Sequence, residues 1–412
     1  MNKLIERFIK YVKVETKSDD LSETTPSAFN VFALSEILEK DLKEIGCSDV
    51  FYDRKTACVY AKISASAGYE TAPVIGFIAH MDTSPDFSGE NVNPIFTENY
   101  DGNDLPLGTS GRILSVKDFP HLKKLKGRTL ITTDGTTLLG ADDKAGVAEI
   151  VEMAERIISD KIPHGGISIC FTPDEEVGKG TDNFDLERFG ADFGYTLDGD
   201  EEGSLSFENF NAAAAHITIE GVNVHPGSAK DIMINASLVA MEINSLLPAG
   251  EIPADTEGYE GFFHLTDMCG CVEKAELRYI IRDHDKKKFE ERKNLCAAVV
   301  DEINGRYGKA VAKIEIKDQY YNMREYIEPE MHLVDNAIAA ARELGLDPVA
   351  QPMRGGTDGA MLTYKGLPCP NLGTGGYGFH GPFEHITVEG MELETQLIIK
   401  LVEKYAKMIR KG

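Results

Sequence analysis

Long apolar runs alternate with helix-like patterns through the first half of the chain. The apolar runs predict strands at residues 58–64, 72–82, 166–176 and 193–200. Between the second and third runs, apolar residues from Val147 to Ile158 recur on one face and predict a helix over 143–159. Strands that are apolar almost throughout are buried on both faces, so the alternation favours an α/β fold with a mixed, mostly parallel sheet. Residues 83–130 are rich in Pro, Gly, Asn and Asp and predict loops and short elements.

The pattern changes near residue 210. There the chain predicts, in order, a strand, a helix, two strands, a helix and a strand, at residues 212–224, 228–247, 261–272, 274–283, 286–307 and 310–320. This β-α-β-β-α-β order is the ferredoxin-like split βαβ unit. Patterns at 332–345, 369–376 and 388–410 then return to helix, strand and helix. We therefore predict an outer domain of residues 1–209 and 323–412, interrupted by an inserted domain at 210–322.

Charge and composition narrow the class of partner. The chain of 412 residues carries a formal charge of −25, from 43 basic and 68 acidic residues. Such acidity disfavours nucleic acid and anionic membranes as partners. The N-terminal segment lacks the apolar core of a signal peptide, and no apolar run reaches the roughly 18 residues of a membrane span. Seven scattered cysteines favour reduced thiols, and hence a cytoplasmic location.

Acidic residues and histidine collect where the predicted strands end. His80 and Asp82 follow the most apolar strand, Glu175 and Glu176 follow another, and Asp198 ends a third. The carboxyl ends of strands are where open α/β sheets bind ligands. Neighbouring carboxylates repel each other, so a cation is one explanation for each pair and a solvated acidic turn is the other.

Two further stretches add candidates and exclude two motifs. Asp142 and Asp143 stand side by side at the start of a predicted helix, although one cap residue would suffice. His380 follows glycines at G-x-G-x-x-G spacing, but no helix follows, so the dinucleotide fingerprint is rejected. An EF-hand starting at Asp198 is rejected as well, because its twelfth position is Asn209 rather than Glu.

Taken together, these residues predict a dinuclear metal site. Its candidate ligands are two histidines and three carboxylates, namely His80, Asp142, Glu176, Asp198 and His380. This set suits paired zinc or a similar divalent cation with one bridging carboxylate. We expect Asp142 to be the bridge and Asp143 to shape the turn and support the start of the helix.

Seven motifs also carry a family resemblance. In chain order they are "HMDTSPD", "LLGADDKAG", "TPDEEVG", "YTLDGD", "VHPGSAK", "RGGTDGA" and "GGYGFHG". They resemble the M20 family of co-catalytic zinc metallopeptidases, and the likeness extends over nearly the whole chain. It implies a catalytic domain at 1–209 and 323–412, and a lid or dimerisation domain at 210–322.

The resemblance also implies roles for the candidate residues. One metal would be held by His80 and Asp198 and the other by Glu176 and His380, with Asp142 bridging two Zn²⁺ per subunit; Co²⁺ or Mn²⁺ are alternatives. Asp82 would orient the His80 ring. Glu175 would be the general base towards a water activated by the two zinc ions. His385 is a second possible last ligand, but His380 is favoured because Glu384 follows it in an H-x-x-x-E arrangement.

Substrate-binding residues follow from the same resemblance. His225 would help to hold the tetrahedral oxyanion, and Arg282 and Arg354 would bind the substrate's C-terminal carboxylate. Asn235 is a further substrate contact, with an exposed mid-helix asparagine as the alternative interpretation.

The resemblance implies that the protein is a homodimer that removes the N-terminal residue of tripeptides, and we expect it to act in the cytoplasm. The inserted domain, including the stretch "TEGYEGFFHL", resembles that of family members that cleave tripeptides, and this resemblance favours a tripeptide substrate. Carboxypeptidase, deacylase and dipeptidase activities share the architecture and stay open as alternatives. A metal-binding scaffold without catalysis is disfavoured, because Glu175 is present.

Overall fold

The computed structural model describes residues 2–348 and 350–410. Its helices are α1 (Lys3–Val12), α2 (Val31–Ile45), α3 (Ala141–Ser159), α4 (Leu186–Phe189), α5 (Ala236–Leu246), α6 (Lys286–Tyr307), α7 (Arg324–Ile327), α8 (His332–Glu343), α9 (Asp358–Tyr364) and α10 (Val388–Tyr405). Its first strands are β1 (Ser48–Tyr52), β2 (Val59–Ile63), β3 (Ile75–His80), β4 (Ile95–Thr97), β5 (Leu105–Pro106), β6 (Ile113–Leu114), β7 (Leu130–Thr132), β8 (Ile167–Thr172) and β9 (Phe193–Gly199). The others are β10 (Leu205–Ser206), β11 (Asn211–Glu220), β12 (Phe262–Gly270), β13 (Lys274–Asp283), β14 (Ala312–Tyr320), β15 (Asn371–Gly373), β16 (Gly376–Tyr377) and β17 (His385–Thr387).

The chain divides into two compact units. The first unit comprises the chain up to Phe207, Glu325–Gln351 and the chain from Thr357 onward. The second unit comprises Glu208–Arg324 and the short segment Pro352–Gly356. That segment, which includes Arg354, lies outside the predicted insert of 210–322. No helix among residues 2–348 and 350–410 combines the length and apolar character needed to cross a bilayer.

The first unit is built on a mixed sheet. Its strand order is β1-β2-β8-β3-β9-β15-β10. The four inner strands β8, β3, β9 and β15 are parallel, and the outer pairings are antiparallel. Every residue of β3 and β8 is buried, because helix α3 packs on one face of the sheet while side chains such as Phe189 and Leu362 cover the other. The predicted α/β fold is confirmed.

The loop-rich excursion forms a smaller antiparallel sheet. Strands β4 and β7 from this stretch pair with β17 and β16 from near the C-terminus, in the order β16-β17-β7-β4. The predicted short elements are thus present, but they pair with residues far away in sequence.

The second unit has the predicted ferredoxin-like arrangement. Its antiparallel sheet has the order β12-β13-β11-β14, and α5 and α6 pack on it around a core that includes Ile217, Ile281 and Phe289. Strands β13 and β11 alternate in burial where one face meets this core.

One predicted helix is wrong in its extent. The helix expected over 228–247 forms only as α5, which begins at Ala236. Asn235 is the N-cap of α5, with an extended backbone and a side-chain oxygen that accepts the N–H groups of Ser237 and Leu238 at 3.0 and 3.4 Å. Asn235 is therefore not mid-helix, because its amide competes for these N–H groups and starts the helix there. Helix α2 and strand β1 were not predicted.

Candidate metal centre

The carboxyl ends of three parallel strands bring candidate residues to one edge of the first sheet. His80 is the last residue of β3, and Asp198 is the second-last residue of β9. The short helical turn Glu175–Val177 follows β8. His80 Nε2 lies 3.5 Å from Asp198 Oδ1 and 2.9 Å from Asp142 Oδ1. These positions are the ligand-binding edge of an open α/β sheet.

The Asp142 carboxylate faces two histidines, one with each oxygen. Its Oδ1 contacts His80, and its Oδ2 lies 3.2 Å from His380 Nε2. The same nitrogen of His380 is 3.0 Å from Glu176 Oε2. A carboxylate with one oxygen towards each of two histidine-containing groups has the geometry of a bridging ligand.

The donor atoms form two overlapping groups. In each group, His80 and two carboxylates have ligand atoms that all lie within 4.8 Å of one another. One group adds Asp142 and Glu176, and the other adds Glu175 and Asp198. The structure thus also places Glu175, the predicted base, within ligand distance. Among the predicted metal ligands, His380 joins the first group through its contacts with Asp142 and Glu176.

The electrostatics of the centre fit divalent cations. Burial, followed by the charge of Asp142, raises the pKa of Glu176 to about 8. Burial raises the pKa of Asp198 to about 6, and nearby Asp142 adds to the shift. The Oε1 atom of Glu176 is buried and has no hydrogen-bond partner among the described residues. Carboxylates held together in a buried site need a positive charge to remain ionised, and mixed histidine and carboxylate donors suit zinc.

The paired acids at the start of α3 have different contacts. Asp142 and Asp143 have non-helical backbone angles, the peptide bond between them is cis, and the N-cap position is Gly140, at φ 79°. Asp143 Oδ2 accepts the backbone N–H of His80 at 3.1 Å. Asp143 lies in the first turn of α3, as expected, and its bond ties the start of α3 to the end of β3.

Asp82 aligns the two acidic residues that follow β8. Its Oδ1 accepts the backbone N–H of Glu175 at 3.1 Å, and its Oδ2 accepts that of Glu176 at 3.2 Å. His80 Nδ1 lies 3.1 Å from the Asp82 carbonyl oxygen and 3.3 Å from its Oδ1. Asp82 thus contacts His80, as expected, and also the backbone that carries the predicted base.

The sequence analysis missed residues that hold this acidic turn. Asp174, at φ 62°, precedes Glu175, and its carboxylate accepts the N–H and Oγ–H of Ser27, both at 2.6 Å. Ser18 donates its hydroxyl to Asp82. Asp174 lies within the motif "TPDEEVG" and could have been singled out, whereas no local signal marks the two serines.

His380 and His385 have separate environments. His380 lies with the carboxylates, as described above. His385 is fully buried, donates from Nδ1 to the Phe383 carbonyl at 2.7 Å, and places Nε2 2.9 Å from His121 Nε2. Both of its ring nitrogens are therefore engaged away from the metal centre.

The predicted oxyanion histidine lies in the second unit. His225 is exposed, and its Nδ1 accepts the N–H of Gly227 at 3.1 Å in the turn Pro226–Ser228. Asn235, the predicted further contact, uses its side-chain oxygen to cap α5.

The two predicted arginines also lie in the second unit. Arg282 is 9% exposed and donates to the carbonyls of Ala213 and Ile281. Arg354 donates from Nη1 to the carbonyls of Gly258 and Glu260, at 2.9 and 2.8 Å. It also donates from Nη2 to Thr256 Oγ1 at 2.8 Å. Within the described chain, neither guanidinium pairs with a carboxylate.

Comparisons with known proteins agree in family and fold. Residues 133–404 match the model of Peptidase family M20/M25/M40. The chain is 51% identical to "Peptidase T" of Alkaliphilus oremlandii and 53% identical to "Peptidase T" of Clostridium perfringens; each alignment covers 99% of this chain and 100% of the relative. Among solved structures, an aminopeptidase PepT from Bacillus cereus superposes with a TM-score of 0.78 at 23% identity, and a tripeptidase from Staphylococcus aureus with 0.78 at 21%, each covering 98% of both chains. At these identities the superpositions show a shared fold.

Proposed function

Because this chain belongs to peptidase family M20/M25/M40, we propose that it is a tripeptide aminopeptidase that removes the N-terminal residue of its substrate. The reaction class rests on one observation: the Asp142 carboxylate lies between His80 and His380, with further carboxylates around it. The tripeptide substrate rests on identity of more than half, over the full length, to proteins named Peptidase T.

Five residues would hold the metals. His80 and Asp198 would bind one ion and Glu176 and His380 the other, while Asp142 would contact both. Two Zn²⁺ ions, or Co²⁺ or Mn²⁺, would act as Lewis acids and lower the pKa of water towards neutrality. The unpartnered Glu176 Oε1 and the raised pKa values of Glu176 and Asp198 support such occupancy.

Glu175 would move the proton. Its burial, and then the charge of Asp198, raises the pKa of this carboxyl well above 4.5. A carboxylate of raised pKa accepts the proton of the attacking water and keeps it until the leaving amine takes it. The backbone N–H groups of Glu175 and Glu176 donate to the Asp82 carboxylate, and these bonds would fix the position of the base relative to the neighbouring ligand.

Residues of the second unit would recognise the substrate. The contacts of Arg354 with other described residues leave its Nε–H and one Nη2–H as donors for a carboxylate. We assign the peptide's C-terminal carboxylate to Arg354 and Arg282, and the oxyanion to His225. Asn235 stays a predicted further contact. The homodimer stays a prediction from the family resemblance, and the cytoplasmic location stays a prediction from the scattered cysteines.

Product analysis by mass spectrometry tests this function. Purified, zinc-loaded protein would be offered a free tripeptide, its N-acetylated and C-amidated forms, a dipeptide and a tetrapeptide. We expect release of the first residue from the free tripeptide and reduced cleavage of the amide. Preferred cleavage of the dipeptide or the acetylated peptide would assign one of the alternative activities instead.

A matched pair of variants tests the base. Glu175→Gln removes the proton acceptor but keeps the side-chain shape, so kcat should fall by about 10²–10⁴-fold with metal content unchanged. Glu187→Gln, at an exposed position of α4, should leave kcat unchanged. Full turnover by Glu175→Gln would exclude Glu175 as the base. If the parent protein cleaved no peptide with zinc, cobalt or manganese, a metal-binding scaffold without catalysis would be favoured instead.

A further inference from the structure

A buried glutamate outside the proposed ligand set contacts the turn that carries Asp142. Glu384 is 2% exposed. Its Oε2 accepts the backbone N–H groups of Leu139 and Gly140 at 2.6 and 2.8 Å, and its Oε1 accepts that of Asp142 at 2.9 Å. We propose that Glu384 is a positioning residue that holds this turn, and through it the Asp142 carboxylate, between the two histidines.

The contact requires a carboxylate. Three N–H donors converge on two oxygen atoms, so both atoms of the side-chain head must be acceptors. A glutamine would present its NH₂ group to at least one of these N–H groups and leave that donor unpaired. Burial raises the pKa of Glu384 to about 7, and the hydrogen bonds from the three N–H groups limit that rise because they stabilise the ionised form.

Glu384 also connects to the segment that carries His380. Its backbone N–H donates to the Gly381 carbonyl at 3.2 Å and closes a turn directly after His380. The side chain thus holds the Asp142 turn while the backbone holds the His380 turn. The distance of 3.2 Å between His380 Nε2 and Asp142 Oδ2 therefore depends on Glu384 from both sides.

The backbone after Glu384 is anchored. His385 begins β17, its fully buried ring is bonded to Phe383 and His121, and Ile386 pairs with Ile131 of β7. A side chain attached to a packed strand transmits its position better than one on a loose loop. Glu384 can therefore act as a fixed reference for the Asp142 turn.

This inference rests on the proposed function in one respect, because Asp142 is a proposed metal ligand. Loss of the three hydrogen bonds would leave buried N–H groups unpaired and release Asp142 from its position. Residues that orient metal ligands typically change metal affinity by about 10–100-fold when replaced. We expect a loss of that size in zinc affinity and a lower kcat with little change in KM.

The test compares two buried glutamates of the first unit. Glu384→Gln removes one acceptor, and Glu394→Gln is the control at a fully buried position of α10 where the glutamate accepts the N–H of Gly203. Zinc affinity is measured by chelator competition, and the ligand field by the visible spectrum of the Co²⁺-loaded protein. We expect Glu384→Gln to weaken zinc binding by about 10–100-fold and to change the Co²⁺ spectrum, while Glu394→Gln changes neither.

Two outcomes would overturn the inference. One is a Glu384→Gln protein of lowered thermal stability but parental zinc affinity and Co²⁺ spectrum, which is the result of a merely structural role. If Glu384→Gln does not fold, Glu384→Asp replaces it, because aspartate keeps both oxygens but withdraws them by one methylene group. Unchanged zinc affinity in Glu384→Asp would be the second such outcome. A parent protein that binds zinc but does not cleave tripeptides would contradict the proposed substrate while leaving these affinity measurements decisive for Glu384.

Discussion

The hydrogen bonds of His385 predict a loss of stability on mild acidification. Its Nδ1–H donates to the Phe383 carbonyl, so in the neutral ring Nε2 has no hydrogen and accepts from His121 Nε2–H. A second proton on His385 would set two N–H groups against each other. Burial lowers the pKa of His385 from 6.5 to about 4; the hydrogen bond to the Phe383 carbonyl opposes this shift, and the charge of His121 adds to it.

The sign and size of the effect follow from the two pKa values. Above pH 6.5, His385 is neutral in both the folded and the unfolded chain and contributes no pH dependence. Below pH 6.5 the unfolded chain binds the proton first, so the free energy of unfolding falls as the pH drops towards 4. For a folded-state pKa of about 4 the loss is about 2 kcal/mol at pH 5 and about 3 kcal/mol at pH 4.

The assay is urea unfolding of the parent protein and of His385→Gln between pH 7.5 and 5. The variant is less stable at pH 7.5, but lacks the titrating ring, so the difference between the two proteins should shrink by about 2 kcal/mol at pH 5. Contributions from metal release and from other carboxyls cancel in this difference. His264→Gln, at an exposed histidine, should show no such change. A constant difference down to pH 5, or an NMR titration of His385 near its ordinary pKa, would refute the reasoning.

Three further predictions concern packing, capping and metal. An alanine side chain at Gly146 would press its Cβ against the Leu197 carbonyl oxygen, so Gly146→Ala should lower the free energy of unfolding by about 2–4 kcal/mol. Gly305→Ala, in open space on α6, should raise the free energy of unfolding by up to about 1 kcal/mol. If urea titrations gave the same change for both alanine variants, the close contact between residue 146 and the Leu197 carbonyl would be contradicted. Asn235→Ala should lower the free energy of unfolding by about 1 kcal/mol, and Asn235→Asp should lower it much less because aspartate also caps helices. Equal stability of the parent and Asn235→Ala would show that the cap contributes nothing. Removal of the metal by a chelator should abolish hydrolysis and lower the melting temperature. Zinc added back at about 100 times its Kd should raise the free energy of unfolding by about 3 kcal/mol. A chelator without effect on activity or stability would exclude a metal-dependent enzyme.

The periodicity of side chains determined most of the secondary structure. Strand β13 and helix α6 have the bounds that their patterns predict, because alternation with period 2 or 3.6 is set by neighbouring residues. The uninterrupted apolar runs of β3 and β8 indicated burial on both faces, which is what the parallel sheet provides. The pattern predicted the start of α5 too early in the chain. The side chain of Asn235 bonds to backbone N–H groups and starts the helix at Ala236, although the helical pattern extends further towards the N-terminus.

The sequence also nominated the residues of the metal centre, through acids and histidines at strand ends and through the family resemblance. Only the tertiary structure decided which oxygen of Asp142 faces which histidine, and that Asp143 bonds to the backbone of His80. The contacts of Glu384 with the Asp142 turn join segments more than 240 residues apart. Periodicity and propensity describe interactions along a few turns of chain, whereas these roles arise from groups that meet only when the sheet and its helices have packed.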